Sequence, residues 1–500
     1  MNHSTPNLHT FTLCIILFFC VSCNHPGVPS GNVHLSDEIP AIVPDYTSLV
    51  IPPNIAPLNF EIDIPGEEYV ARILGRDGES LVSEGKIISW DMDGWHSLLE
   101  TSKGEDILFE IFVRNGDRWD LYRFTNEVAE EEIDPYLSYR LIEPSFVHFS
   151  SLTINQRNLT SFEEDVIWNN PAPCDERRGY CINCHVPRNN YKDRTSLFHI
   201  RGANGGTVIM SGDTIRKVNL KTDETISAGV YPAWHPTLDL VALSTNTTAQ
   251  KFPNRGSQRA EVFDSASDLI LFDLQTNEIT DISGHPGLLE TYPAWHPDGT
   301  KIYYSVAKYP DGVSPDQVAQ NTQRMRYDIV SRNFDPVSRS FSAPDTVVHA
   351  SKFAESALLP RISPDGRWML YCKAPFGSFH IWHKDSDLFL ANLESGETHM
   401  LANANSGDSD SYHSWSSNSR WIVFSSRRED GNYTRPYIAY VSSEGVDSKA
   451  FVVPQESPDH YMRLMKSYNV PEFMSGPFAF SRSQILPLVR EKATPAVFRK

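Results

Sequence analysis

"YPAWHPTLDLVALS" runs from Tyr231 to Ser244, and "YPAWHPDGTKIYYS" runs from Tyr292 to Ser305. Each reads as a short strand, a turn and an alternating strand. "LPRISPDGRWMLYC" from Leu359 and "YHSWSSNSRWIVFS" from Tyr412 repeat the layout. Asp298-Gly299 and Asp365-Gly366 supply the positive-φ residue that such a turn needs. A second element follows in register: "IRKVNLKTDETI", "LILFDLQTNEIT" and "LFLANLESGETH", with Leu220, Leu274 and Leu393 in equivalent places. A four-stranded unit repeated every few tens of residues is a blade, and blades close radially. Strand ends near residues 225, 280, 340, 398 and 450 mark five blades. A sixth is expected from the C-terminal segment joined to a strand from the connector that carries the cysteine motif, which removes free edges. The expected fold class is all-β, an N-terminal β-sandwich followed by a six-bladed propeller.

The "P-x-x-S/H-P-D-G-x-x-I/L" units resemble the TolB-like β-propeller repeat over about residues 195–480. The unit around Ser416 has Ser-Asn-Ser in place of Pro-Asp-Gly and is a degenerate copy. The layout also resembles a group of Bacteroidetes lipoproteins in which a C-x-x-C-H segment precedes such a propeller. "YRLIEP", "INQRNL" and "FHIRG" extend that likeness. The resemblance implies a binding and assembly platform, and it implies a fold more firmly than an activity.

Outside the repeat, "FTLCIILFFCV" from Phe11 to Val21 is an apolar run of signal-peptide length that leads into Ser22-Cys23. This resembles the lipobox of bacterial lipoproteins, with residues 1–22 the signal peptide and Cys23 the lipidated residue. The body is then exported, lipid-anchored and periplasm-facing, at the outer membrane. Residues 23–55, rich in proline and glycine, read as a flexible tether. From Leu58 the period is two, and strand-like runs at "KIISW", "DILFEIFVR" and "RWDLYRFT" predict a β-sandwich of immunoglobulin or fibronectin type over 56–145. Trp90, Trp95 and Trp119 are assigned to its core rather than to sugar stacking. Residues 146–194 read as an irregular connector, with one short helix after the Thr160/Glu163 capping-box pattern, and the propeller occupies 195–500. The 63 acidic against 44 basic side chains give a net charge of −19, which argues against a nucleic-acid partner.

The connector carries "RRGYCINCHVPRNNY". With 7 cysteines and 17 histidines in the chain, the C-x-x-C-H pattern arises by chance with odds on the order of 0.3%. Two thiols three positions apart reach the vinyl groups of one porphyrin edge, and the next residue offers its imidazole to the iron. Cys181 and Cys184 are thus the candidate attachment sites for one haem c and His185 the proximal ligand. His199 is the expected distal ligand, with Met210 the thioether alternative, and Arg177 and Arg178 are candidate partners of the propionates. A zinc site recruiting Cys174, or a Cys181–Cys184 disulfide, are the competing readings; Cys174 and Cys372 are otherwise left over. His235 and His296 recur at equivalent blade positions and read as structural, and "HIWH" at His380 and His383 reads as a solvated loop. Neither G-x-S-x-G nor H-E-x-x-H occurs. Two functions follow as expectations. One is a lipid-anchored monohaem electron carrier or redox sensor whose propeller docks a periplasmic redox or envelope protein. The other is a non-catalytic scaffold or glycan- or peptide-binding propeller.

Overall fold

The computed structural model describes residues 27–76, 78–143, 151–169, 181–202, 204–252, 260–285 and 287–499. Cys23, the apolar leader, Cys174, Arg177 and Arg178 lie outside them.

Six sheets of four or five strands follow one another around an axis. Their inner strands are Cys181–Pro187 (blade 1), Val230–Trp234 (blade 2), Leu289–Trp295 (blade 3), Ser356–Ile362 (blade 4), Asp410–Trp415 (blade 5) and Ser467–Met474 (blade 6). Blades 1 to 5 are antiparallel meanders, each continuing outward from its inner strand. Blade 6 is composite: Ser467–Met474 pairs antiparallel with Tyr136–Ile142, which continues through Thr153–Asn158 to Glu164–Asn169. The closure through the C-terminal segment is the expected one, but the strand that pairs with it, Tyr136–Ile142, comes from the region assigned to the sandwich, and the connector supplies the two strands outside it. The C-terminal residues run on, adding Thr494–Pro495 to the outer strand of blade 1 and Val497–Arg499 to that of blade 2.

The seams between blades are where the alternating apolar residues go. Leu197, Ile209, Val241 and Leu243 pack between blades 1 and 2; Ala242, Leu271, Ile302 and Tyr304 pack between blades 2 and 3. At the turns, His235 Nδ1 accepts from the backbone N–H of Thr237 and Leu238 (3.2 and 3.0 Å), so its Nε2–H is free to donate to Gly299 O of the next blade at 3.0 Å. His296 repeats the contact to Gly366 O at 3.3 Å. These histidines are inter-blade latches, and the Asp-Gly turns with φ of 74° and 75° receive them.

Three regions differ from the sequence reading. Residues 42–55, assigned to the tether, bury Ile42, Tyr46, Leu49, Ile51 and Ile55, because apolar residues spaced through the proline-rich run find a core. The next unit has two sheets sharing that core, but it is not immunoglobulin-like. Val33–Leu35 and Val50–Ile51 pair in parallel with Arg118–Val128, and a helix, Met92–Thr101, is inserted. Asp91 caps this helix by accepting from Gly94 N–H, and Trp95, Leu98 and Leu99 form its buried face. The connector, finally, is propeller. Asn158 accepts from the N–H and hydroxyl of Thr160, an Asx turn that leads into the strand Glu164–Asn169 where a helix was expected.

The N-terminal unit is joined to the propeller by a continuous apolar core and by polar ties. Trp421 Nε1 donates to Glu131 O and Asn59 Nδ2 to Glu456 O.

Candidate functional site

Every inner strand carries one residue in the left-handed region: Cys184, Tyr231, Tyr292, Leu359, Tyr412 and Val470, with φ between 49° and 59°. At each of them the pairing register slips by one residue. A bulge re-aims a side chain, and here all six residues line one central cavity of about 370 Å³. The residue that follows is proline in blades 2, 3, 4 and 6 (Pro232, Pro293, Pro360, Pro471). An inner strand has no neighbour on its channel side, and proline leaves no N–H there to satisfy.

In blades 1 and 5 the place of proline is taken by His185 and His413. His413 Nε2 bonds Leu359 O at 2.8 Å and Leu370 O at 3.1 Å in the preceding blade. His185 faces the backbone at Ser138 and Val470, the same two places in its own preceding blade. Burial pushes His185 down to about 4 and His413 down to about 3, so both imidazoles are neutral. The Cys-His of "CINCHVP" is therefore blade 1's copy of the repeated Tyr-Pro. Setting "CHVP" on "YHSW" from Tyr412 would have placed it in an inner strand; the change of both residues hid the match.

The candidate haem residues are distributed as follows. Cys184 is a free cysteine on the cavity wall. His185 turns into the seam between blades 6 and 1, where with Met210, Phe198 and Trp168 it lines a void of about 20 Å³. Its Nε2 is buried without a hydrogen-bond partner. Met210 is thus brought beside His185. His199 is not: it pairs in register with Asn183, one strand position away from the Phe198 that lines the His185 seam, and its Nδ1 lies 3.2 Å from Thr207 Oγ1. Burial pushes His199 down to about 4. Thiol and imidazole serve two different cavities, and the seam void is far smaller than a porphyrin. In this arrangement Cys184, His185 and His199 do not fit one haem.

Around the main cavity, the Tyr231 and Tyr292 rings lie 4.4 Å apart, and Trp382 and Phe379 add to the aromatic wall. Tyr292 Oη donates to Ser378 O at 2.7 Å. Behind them Asp264 accepts from Thr248 Oγ1 (2.5 Å) and Asn246 Nδ2 (2.7 Å), and burial pushes it up to about 6. Arg361 pairs with Glu472, and Arg140 donates to the side-chain oxygens of Asn183 and Asn469. His380 and His383 are buried, contrary to the solvated loop expected. His383 pairs with Glu261 at 3.0 Å, and His380 Nδ1 lies 3.5 Å from Cys372 Sγ. That thiol is pushed up to about 12 and the imidazole well down, both by burial. The pair is neutral and carries no thiolate nucleophile.

The molecule is thus an all-β six-bladed propeller with an N-terminal β unit seated on it. Among solved structures it is similar to TolB from Acinetobacter baumannii, at 12% identity and a TM-score of 0.42, covering 76% of this chain and 84% of that one. It is likewise similar to a putative TolB from Agrobacterium tumefaciens (15%, 0.37, 68% and 98%) and to a chain of the nidogen/laminin complex (7%, 0.39, 68% and 99%). No protein-family model matches the chain, and no curated protein does. Among the described residues no helix is long and apolar enough to cross a membrane.

Proposed function

We propose that this chain is an exported propeller of the cell envelope, anchored through Cys23, that binds a ligand in its central channel and serves as a docking platform without turning the ligand over. The carrying observation is the ring of six bulged residues around one cavity of about 370 Å³. Three tyrosines in that ring hold a strained conformation that costs roughly 1–3 kcal/mol apiece, and strain of this kind gathers at binding sites. Export is supported by the apolar leader and the Ser22-Cys23 junction.

The test is the mass and absorption spectrum of protein purified from a host competent in cytochrome maturation. The expected result is the apo mass on denaturation, no Soret band, and a non-covalent ligand in native mass spectrometry. A Soret band with one haem retained after denaturation would return the C-x-x-C-H segment to haem attachment. Its favouring observation is the unspent Nε2 of His185. A protein with neither haem nor ligand would end the channel reading.

A further inference from the structure

Resting on that channel reading, the geometry points to the ligand's charge: we infer that the channel binds a carboxylate, held by Arg140, with an apolar or aromatic body lying against the tyrosine ring. Arg140 is only 7% exposed and lines the cavity. Of the five N–H bonds of a guanidinium, the structure spends two, on the side-chain oxygens of Asn183 and Asn469. Its Nε is buried with no acceptor, and no carboxylate pairs with it among the described residues.

An unpaired buried cation is expensive, costing several kcal/mol after relaxation. The cavity wall offers it no relief. Glu472, the one acidic residue lining the cavity among the described residues, is engaged by Arg361, and Arg201 adds a third guanidinium. A chain with a net charge of −19 thus concentrates cationic groups at a cavity its inner strands enclose. Such a site is complementary to an anion. A planar carboxylate fits a guanidinium with N–H bonds still unspent, because the two can meet in a two-point fork. The remaining wall, Tyr231, Tyr292, Tyr412 and Trp382, suits a flat apolar body rather than a second charge.

The experiment titrates the full mature protein by calorimetry with 3-phenylpropionate and with its neutral amide. Gly-Phe-Phe with a free and with an amidated C-terminus is titrated alongside, so that the peptide arm separates a chain terminus from a small acid as the source of the carboxylate. Alkylation of the Cys184 thiol by iodoacetamide is followed in parallel. At least one acid is expected to bind at least tenfold more tightly than its amide and to slow alkylation of Cys184. Arg140→Met should lose the discrimination and melt no lower than the wild type, since it removes a buried uncompensated charge. Arg140→Lys, which keeps the charge without the fork, should fall between. Acid and amide binding equally would overturn the anion assignment and leave the channel reading standing. No binding by any probe, with Cys184 alkylated at an unchanged rate, would overturn both.

Discussion

His185 and His413 occupy one position in two blades, and their surroundings explain why neither carries a charge. Each is buried against the backbone of the preceding blade, where an imidazolium would lose its hydration. A histidine depressed in this way takes up its proton on unfolding. Its contribution to stability is complete above the unfolded value of 6.5 and is lost as pH falls from there towards the folded value, about 3 for His413. Glu290, pushed up to about 7 by burial, acts with the opposite sign between its unfolded 4.5 and 7, so the net slope of the whole protein is a difference. The comparison to make is His413→Gln against wild type: the urea midpoint of the variant should fall less steeply from pH 6.5 to 4. At pH 7, His413→Ala should cost about 1–3 kcal/mol, because the carbonyls of Leu359 and Leu370 lose a buried donor. Equal stability of the two proteins in urea titration would show that the imidazole is not the seam's tie.

At the scale of the blade, the turn that receives a latch is separable from the turn that does not. Gly299 and Gly396 share nearly the same φ, 74° and 76°. A Cβ at Gly299 would stand 2.5 Å from His235 Cε1, whereas one at Gly396 would meet nothing within 4 Å. Gly396→Ala should therefore cost only the left-handed strain, about 1 kcal/mol, and Gly299→Ala clearly more, measured by thermal unfolding. These latches were readable in advance, since "WHP" and "PDG" recur at constant spacing and a recurring histidine has a structural task. Blade 6 was partly readable, because edge removal demands a closing strand. The inner strand of blade 1 was not: Cys-His replaces Tyr-Pro, and the haem chemistry of the pair outweighed its register. The helix Met92–Thr101 carried a signal in Asp91 with Trp95, Leu98 and Leu99, but three flanking strand-like runs masked it. Arg140 could not be read at all. Its role depends on two asparagines, Asn183 and Asn469, that only the ring brings to it.

At the scale of the whole molecule, the N-terminal unit and blades 3 to 6 draw on one apolar core, so they are expected to melt together. Calorimetry should show a single transition for the intact chain. Trp421 is fully buried at the junction, and Trp421→Ala should lower stability by about 3–5 kcal/mol, without splitting that transition in two. The composite blade carries a further consequence, for the order of assembly. Ser138 and Glu472 face each other across its inner pair although 334 residues separate them in sequence. Synthesis runs from the N-terminus, so Tyr136–Ile142 emerges with an unpaired edge and waits for nearly the whole chain before its partner arrives. Ring closure is then a late event of high contact order, opposed by the entropy of a very long loop. During that interval the waiting edge is open to other chains. A chain ending before Ser467 should persist in that state and elute as soluble oligomers or aggregate on gel filtration, whereas the full chain closes on itself.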